Sequence, residues 1–295
     1  MAVEHLPTVT QLIFPSLLCV LAIGIISDDV YMMLNLSQIS RTAILLLICR
    51  AVETERNQSA FNDPMAVLCL ERLLSIASEE DKRWIIGKKR GYEGIHARDA
   101  QAGVRRVKIF DDAANRFIAD HPHCTVINLA CGFDTRFWRI ANENCRYVEI
   151  DLPQVAALKR ELLKGQLGYE LLGCSALDTR WIDQVTTNGN RNFLLIAEGL
   201  FMWIPQPDAT RLLKEIGEKF QRSQLVLDMV PERYTQGIWK SLIRLHSRLD
   251  WGLDVAWEFG IKHPRDIEAY GNGLKVTGEE KGSTGPIITV SINAD

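Results

Sequence analysis

Beyond residue 120 the chain alternates between short, unbroken apolar runs and longer stretches in which apolar residues return every three or four positions. The runs Thr125–Leu129, Tyr147–Ile150, Glu170–Cys174, Phe193–Ala197 and Gln224–Met229 predict strands. Between them, Pro153–Leu163 predicts a helix with proline in its first turn, and Asp208–Phe220 another, with Ala209, Leu212, Leu213, Ile216 and Phe220 along one face. Strands apolar at every position are buried on both sides, so this alternation predicts a parallel sheet covered by helices on both faces. Near the C-terminus, Gly271-Asn272-Gly273 and Gly285-Pro286 bracket short β-like segments, including Ile287–Ile292, which fit an antiparallel pair closing one sheet edge. From Ser37 to about Ile118 the pattern is helical. Apolar Ala43–Cys49 runs into charged Arg50–Arg56, and Asp63-Pro64 marks a turn before a second apolar helix through Leu74. Glu79–Arg90 reads as a solvated charged stretch, and Val104–Ile118 sets Val107, Phe110, Ala114 and Phe117 on one helical face.

The segment before Ser37 breaks this order. Leu12–Ile26 is a nearly continuous apolar run of fifteen residues, shorter than the roughly 20 a membrane span needs. No Lys or Arg precedes it, as a signal peptide would require, and Asp28 and Asp29 follow it. We read it first as a buried or poorly ordered helical extension, ahead of a membrane or interface anchor and of a gene-model artefact.

Composition narrows the class. The chain has 295 residues, 47% hydrophobic, with a net charge of -3, which suits one large α/β domain with a helical cap. The slight acidity and the lack of a basic stripe argue against nucleic-acid binding. The seven cysteines and six histidines show no metal-ligand or CxxC spacing, so reduced, mostly buried thiols in a cytoplasmic protein are expected. We assign no metal.

The chemistry gathers where the strands end, because a ligand on such a sheet lies across their carboxyl ends. After the first strand comes Ala130-Cys131-Gly132-Phe133-Asp134-Thr135-Arg136. Small residues there let the backbone approach a ligand, but a dinucleotide turn carries G-x-G-x-x-G, with its pyrophosphate on a helix N-terminus. Asp134 would repel a pyrophosphate and accept a hydrogen bond from an ammonium, which points to a ligand with an amino-acid moiety; an ordinary capped turn is the alternative. Asp151 closes the second strand, where a carboxylate fits two ribose hydroxyls or caps the helix after Leu152-Pro153. Glu198 ends a buried apolar strand, where a carboxylate without a partner is costly, so it is expected to face a ligand. Asp178 follows the third strand and either meets an adenine amino group or caps a loop.

These residues fall into an order that resembles a known family. Val126-Ile127-Asn128-Leu129-Ala130-Cys131-Gly132-Phe133-Asp134-Thr135-Arg136 resembles the first motif, V-x-N-L-G-A-G-x-D-T-R, of the leucine carboxyl methyltransferase-like family, which uses S-adenosylmethionine. Glu149-Ile150-Asp151-Leu152-Pro153 with Lys159-Arg160 resembles its second motif, Ser175-Ala176-Leu177-Asp178 with Trp181 and Asp183 its third, and Ala197-Glu198-Gly199-Leu200 its fourth. Upstream, Arg50–Glu53, Asp63-Pro64 and Arg106–Asp112 are similar to the branch of tetracenomycin-type polyketide O-methyltransferases. The resemblance runs from about Ser37 onward. It implies a Rossmann-like class I methyltransferase fold: a mostly parallel seven-stranded sheet with helices on both faces, residues 121–295 forming the S-adenosylmethionine-binding core, residues 37–120 a helical cap, and residues 1–36 an apolar extension outside the pattern. For the cofactor it implies Arg106 (with Arg105 competing) at the methionine carboxylate, the backbone of Ala130 and Gly132 against the ligand, and Asp134 near its polar end. Asp151 would hold the ribose, Leu177 and Asp178 bracket the adenine, and Glu198 face the ammonium or the acceptor. Two departures stand out: Ala130 replaces the usual glycine, as a crowded or a variant turn, and Arg41 replaces an acid common in this branch.

The resemblance implies O-methylation of a small secondary metabolite such as a polyketide, with esterification of a carboxylate ranked ahead of methylation of a hydroxyl. A carboxylate is ionised at neutral pH and needs no base, whereas a phenol with a pKa near ~10 is helped by one. His246 and His263 read as surface or capping residues, so we name no catalytic base. Trp203, Trp239, Trp251, Trp257 and Phe259 read mostly as core, and as a cap for an aromatic acid or phenol. Methylation of a protein C-terminal leucine ranks lower. A non-catalytic S-adenosylmethionine-binding protein and a nicotinamide oxidoreductase are the rivals from other classes.

Overall fold

The computed structural model describes residues 37–57, 59–140, 143, 145–187 and 192–293. The apolar run at 12–26 lies outside the described residues. Four helices lead the fold: α1 (Gln38–Glu55), α2 (Pro64–Ile76), α3 (Glu79–Glu93) and α4 (Ala97–Asp120). Their starts follow the sequence. Ser37, Asp63 and Ser78 each cap a first turn through a side-chain oxygen that accepts a backbone N–H, and Pro64 opens α2 where no N–H is needed.

The sheet follows: β1 (Thr125–Leu129), α5 (Arg136–Ile140), β2 (Arg146–Asp151), α6 (Pro153–Leu162), β3 (Glu170–Gly173), α7 (Arg180–Thr186), β4 (Phe193–Ala197), α8 (Gln206–Lys219) and β5 (Ser223–Asp228). After α9 (Gly237–His246) come β6 (Leu274–Lys281) and β7 (Pro286–Ile292). The spatial order is β3-β2-β1-β4-β5-β7-β6. The pairs among β1 to β5 are parallel, and β7 enters antiparallel between β5 and β6. This is the mostly parallel, seven-stranded class I methyltransferase arrangement that the resemblance implies.

The two-residue period of the strands divides the core. Val126, Leu194, Ile196 and Val226 pack against Phe110, Ala114 and Phe117 of α4 on one face. Their neighbours Ile127, Leu195, Leu225 and Leu227 pack against Trp181 and Ile182 of α7 and Leu212, Leu213 and Ile216 of α8 on the other. Every residue of β1 and β4 is buried, as continuous apolar runs require. The edge strand β6 carries Lys275, Glu279, Glu280 and Lys281, charges that discourage further strand pairing. Ile44, Leu47 and Ile48 of α1 join Leu70 and Leu73 of α2, Phe133, and Val155 and Leu162 of α6 in a second core. The helical segment is thereby seated over the turn that follows β1.

Candidate active site

The chain order reverses between β1 and β4, so the loops leaving their carboxyl ends diverge and open a crevice. A cavity of about 430 Å³ lies there. It is lined by the turn after β1 (Ala130–Asp134), the ends of β2 and β4 (Asp151, Glu198), the loop after β3 (Ser175–Leu177), and helices α1 and α4.

The turn after β1 sets the floor. Ala130 and Gly132 both take positive φ, 50° and 52°. Gly132 suits that geometry for two reasons. Its backbone is left-handed, and a Cβ there would sit 2.6 Å from Ala43 Cβ of α1. Ala130 adopts the same hand at a cost of about 1–2 kcal/mol. Asp151 stands opposite, one oxygen accepting the Gly132 N–H at 2.6 Å and the other the Leu152 N–H at 2.7 Å. Burial raises its pKa, opposed by those two donors and by Lys159. Leu177 lines the same end, half-buried against the sheet core.

Arg106 reaches the cavity from α4, whereas Arg105 points to solvent. The Arg106 guanidinium lies 3.0 Å from Asp228 Oδ2 and 3.6 Å from Glu198 Oε1, packed over Gly199, where an added Cβ would meet it at 2.8 Å. Distance is not alignment here. Arg106 Nε, Glu198 Oε1 and Asp228 Oδ2 are all buried and none makes a hydrogen bond among the described residues. Such atoms, desolvated and unbonded, are expensive until a ligand meets them. Burial also raises Asp228, against the Arg106 charge and the Gly199 N–H.

Behind this wall lies a network the sequence reading missed. Arg136 is fully buried and contacts Asp111 at 2.8 Å, Asp134 at 2.6 Å and Glu198 at 2.6 Å. Arg139, one turn on, contacts Asp63 and Asp111 at 2.6 Å and Asp134 at 3.0 Å. Arg50 of α1 lies 3.1 Å from Asp63 and 3.8 Å from Asp134, and donates to the Phe133 carbonyl at 2.6 Å. Four guanidinium groups thus serve five carboxylates, and the surplus negative charge falls on the pair around Arg106, Glu198 at the cavity wall and Asp228 buried beside it. Burial alone would raise Asp134, but Arg136, Arg139 and Arg50 hold it well below the usual carboxylate range. Asp134 lines the cavity, yet its oxygens already accept from Arg136, Arg139 and Asn128. It therefore acts as the hub of the network, and the free acceptor facing the cavity is Glu198. A sequence signal for this existed in Arg136 and Arg139, three apart on one short helix, but their partners lie up to 76 residues away.

The structure does not bring every expected residue to the cavity. Asp178 is not among the lining residues; its partly exposed carboxylate is engaged by Arg180. His263 caps a 3-10 turn at Pro264–Tyr270. His246 is not the surface residue expected: it is half-buried, 3.4 Å from Asp250. Trp203, Trp251 and Trp257 line the cavity, while Trp239 and Phe259 do not.

Known proteins fix the class. Residues 43–217, more than half of the chain, match the family model for leucine carboxyl methyltransferase. The tetracenomycin polyketide synthesis O-methyltransferase TcmP of Streptomyces glaucescens is 25% identical over 247 residues, 82% of each chain. A putative S-adenosyl-L-methionine-dependent methyltransferase of Mycolicibacterium gilvum is 30% identical over 215 residues, 67% of this chain and 69% of the other. A solved structure of LepI with S-adenosylmethionine is similar at a TM-score of 0.43 and 15% identity, covering 60% of this chain; the chain spans 46% of that one. The chain belongs to the leucine carboxyl methyltransferase family and is an S-adenosylmethionine-dependent O-methyltransferase.

The cavity fits that cofactor on its own terms. The cofactor's methionine end offers a carboxylate, an ammonium and a sulfonium, one net positive charge against the one surplus negative charge of the network. The unbonded atoms of Arg106 and Glu198, both of which line the cavity, are of the right polarity to meet it, with Asp228 beside Arg106. Among the described residues no His/Cys/Asp/Glu group is arranged to hold a metal ion, and no helix is long and apolar enough to cross a membrane.

Proposed function

We propose that this enzyme methylates an oxygen of a small, largely apolar acceptor such as a polyketide, and that the cavity between β1 and β4 holds both reactants. The observation that carries this reading is the pairing of a charged end (Arg106, Glu198, Asp151) with an aromatic end (Trp203, Trp251, Trp257) in one cavity.

In this reading Arg106 grips the cofactor carboxylate and Glu198 takes the ammonium. Asp151 accepts two ribose hydroxyls, the backbone of Ala130 and Gly132 flanks the ligand, and Leu177 packs on the adenine. Asp134 holds Arg136 and Arg139, so that Glu198 is aimed from behind. Asp178 belongs to the rim, next to Leu177. We place the boundary between helical cap and sheet core at residues 120/121, where α4 ends. When bound, the cofactor supplies a methyl group already activated by its sulfonium. The protein's part is then to position the acceptor oxygen and exclude water.

Calorimetric titration with S-adenosylmethionine and with a nicotinamide dinucleotide tests the site. Asp151→Ala is expected to weaken S-adenosylmethionine by ~100-fold, the loss of about 3 kcal/mol of charged hydrogen bonds. Tight nicotinamide binding would overturn the assignment. Incubating a metabolite pool with label in the methyl group then identifies the acceptor, with base treatment separating ester from ether. A peptide ending in leucine belongs in the same assay, and its methylation would move the acceptor from small molecules to protein chain ends.

A further inference from the structure

The far end of the cavity decides between the two acceptor classes, an inference that rests on the methyltransferase site proposed above. Its walls are Leu45, Leu46, Met202, Trp203, Trp251 and Trp257. Among the described residues that line the cavity, only Arg50 and Arg106 are cationic. Arg50 is committed to Asp63, Asp134 and the Phe133 carbonyl, and in the site proposed above Arg106 is taken by the cofactor's own carboxylate. An acceptor carboxylate would lose its water here and gain no cation in return, an unfavourable exchange.

It would also meet a carboxylate of the protein. Asp99, Gly103 and Arg106 lie four and three residues apart on α4, so they share one face, and all three line the cavity. Seven residues of helix put Asp99 about 10 Å from Arg106 along the wall. Its Oδ2 lies 3.2 Å from His96 Nδ1. Around this pair stand Cys49 of α1, Lys88 and Tyr92 of α3, His246 at the end of α9, and Asp250 four residues beyond it. Burial pushes Asp99 above the usual carboxylate range, with Asp250 adding to it and His96 opposing. Such a carboxylate is a stronger base than one in water. Trp257 adds a donor: its indole N–H is buried and has no partner among the described residues.

We propose that the acceptor is an aromatic hydroxyl and that Asp99, positioned by His96, takes its proton. The hydroxyl oxygen forms its bond to the methyl carbon while the carbon–sulfur bond breaks, the bonding pair staying on sulfur. The hydroxyl proton passes to an Asp99 oxygen, which accounts for every charge. Trp257 donates to a second oxygen of the acceptor. The product is an ether, which reverses the order in which the sequence ranks the two acceptors.

The test uses matched ring pairs, phenol with benzoate and 2-naphthol with 2-naphthoate, titrated into the protein with and without S-adenosylhomocysteine. At least one hydroxyl is expected to bind ten-fold or more tightly than its carboxylate partner. Asp99→Asn should shrink that gap by strengthening carboxylate binding several-fold. In turnover, Asp99→Asn should lower kcat for the hydroxyl by ~100-fold and abolish the acid limb of the kcat/KM profile. Asp99→Glu should restore part of the rate, and His96→Gln should lower kcat with little change in KM. Equal or tighter carboxylate binding, a base-labile ester as product, an unchanged pH profile in Asp99→Asn, or no binding by any hydroxyl each overturns the proposal. S-adenosylhomocysteine titrated alone separates the two levels: its failure to bind wild-type protein sinks the cofactor site itself, whereas its binding with ester formation sinks only the hydroxyl.

Discussion

The two ends of the cavity solve opposite problems. At the sheet end, charges are brought out of water and locked against one another, with Arg136 fully buried among three carboxylates. At the far end, indole rings and aliphatic side chains of α1 and the loops after β4 and α9 make a surface that prefers flat, uncharged rings. The first end requires fixed geometry, because an ion network unsatisfied at one point is worse than no network. The second tolerates variation, because apolar contact is not directional. The end proposed for the cofactor should therefore be brittle to substitution and the end proposed for the acceptor adaptable.

The sharpest break in that contrast is Arg136→Ala. It strands Asp111, Asp134 and Glu198 without their common cation, and about 3–5 kcal/mol of stability should be lost in denaturant unfolding. A loss under 1 kcal/mol would mean the network is decorative. Glu198→Gln is the next largest. It keeps the shape and removes the charge facing the cavity, so S-adenosylmethionine should bind ~10- to 100-fold more weakly by calorimetry, a loss of about 1.5–3 kcal/mol.

Acidity acts on the same end with two signs. Asp134 is depressed on folding, so its contribution is present above the ordinary aspartate pKa of ~3.9 and lost as pH falls through its folded value. Asp151 is raised, so the cost of burying its charge appears as pH rises past ~3.9. In the proposed site, hydroxyl donors from a bound ribose would relieve that cost. Cofactor affinity should therefore rise with pH above ~3.9 and level off once pH passes the raised folded value of Asp151, and Asp151→Asn should flatten the rise. At the adaptable end, Trp251→Phe should change acceptor KM by only a few-fold and leave cofactor affinity within two-fold. The smallest effect is expected at Ala130. Glycine there relieves a left-handed alanine, and Ala130→Gly should stabilise the protein by about 1 kcal/mol in thermal melts with cofactor affinity equal or higher.

What the sequence disclosed follows the same division. Thr125–Leu129 and Phe193–Ala197 could be read to the residue, because a fully buried parallel strand is apolar throughout and stops at a small-residue turn. The strand at 147–150 gained Arg146 and Asp151 at its ends, where side chains leave the core and the apolar signal fades. Helix α4 begins at Ala97 although its apolar period starts at Val104, because its first turns are built of small and polar residues, with Asp99 and Gly103 lining the cavity. The cavity-lining acids Asp151 and Glu198 were legible, since a carboxylate at the end of a buried strand needs a reason to be there. Asp178 carried the same signal, and the structure turns it to Arg180 at the surface. The ion network was illegible for a plain reason: Asp63, Asp111 and Arg139 look solvated in sequence, and only folding brings them to 2.6 Å.

Asp63 gathers these threads. One carboxylate caps α2 through the Ala66 N–H, accepts the Thr135 hydroxyl, and pairs with Arg50 and Arg139. The first turn of a surface helix and the turn that floors the cavity are thus fastened to the same two oxygen atoms. Amide exchange in Met65–Val67 should slow when the cavity fills, so the opening of α2 becomes a gauge of occupancy readable without any acceptor at all.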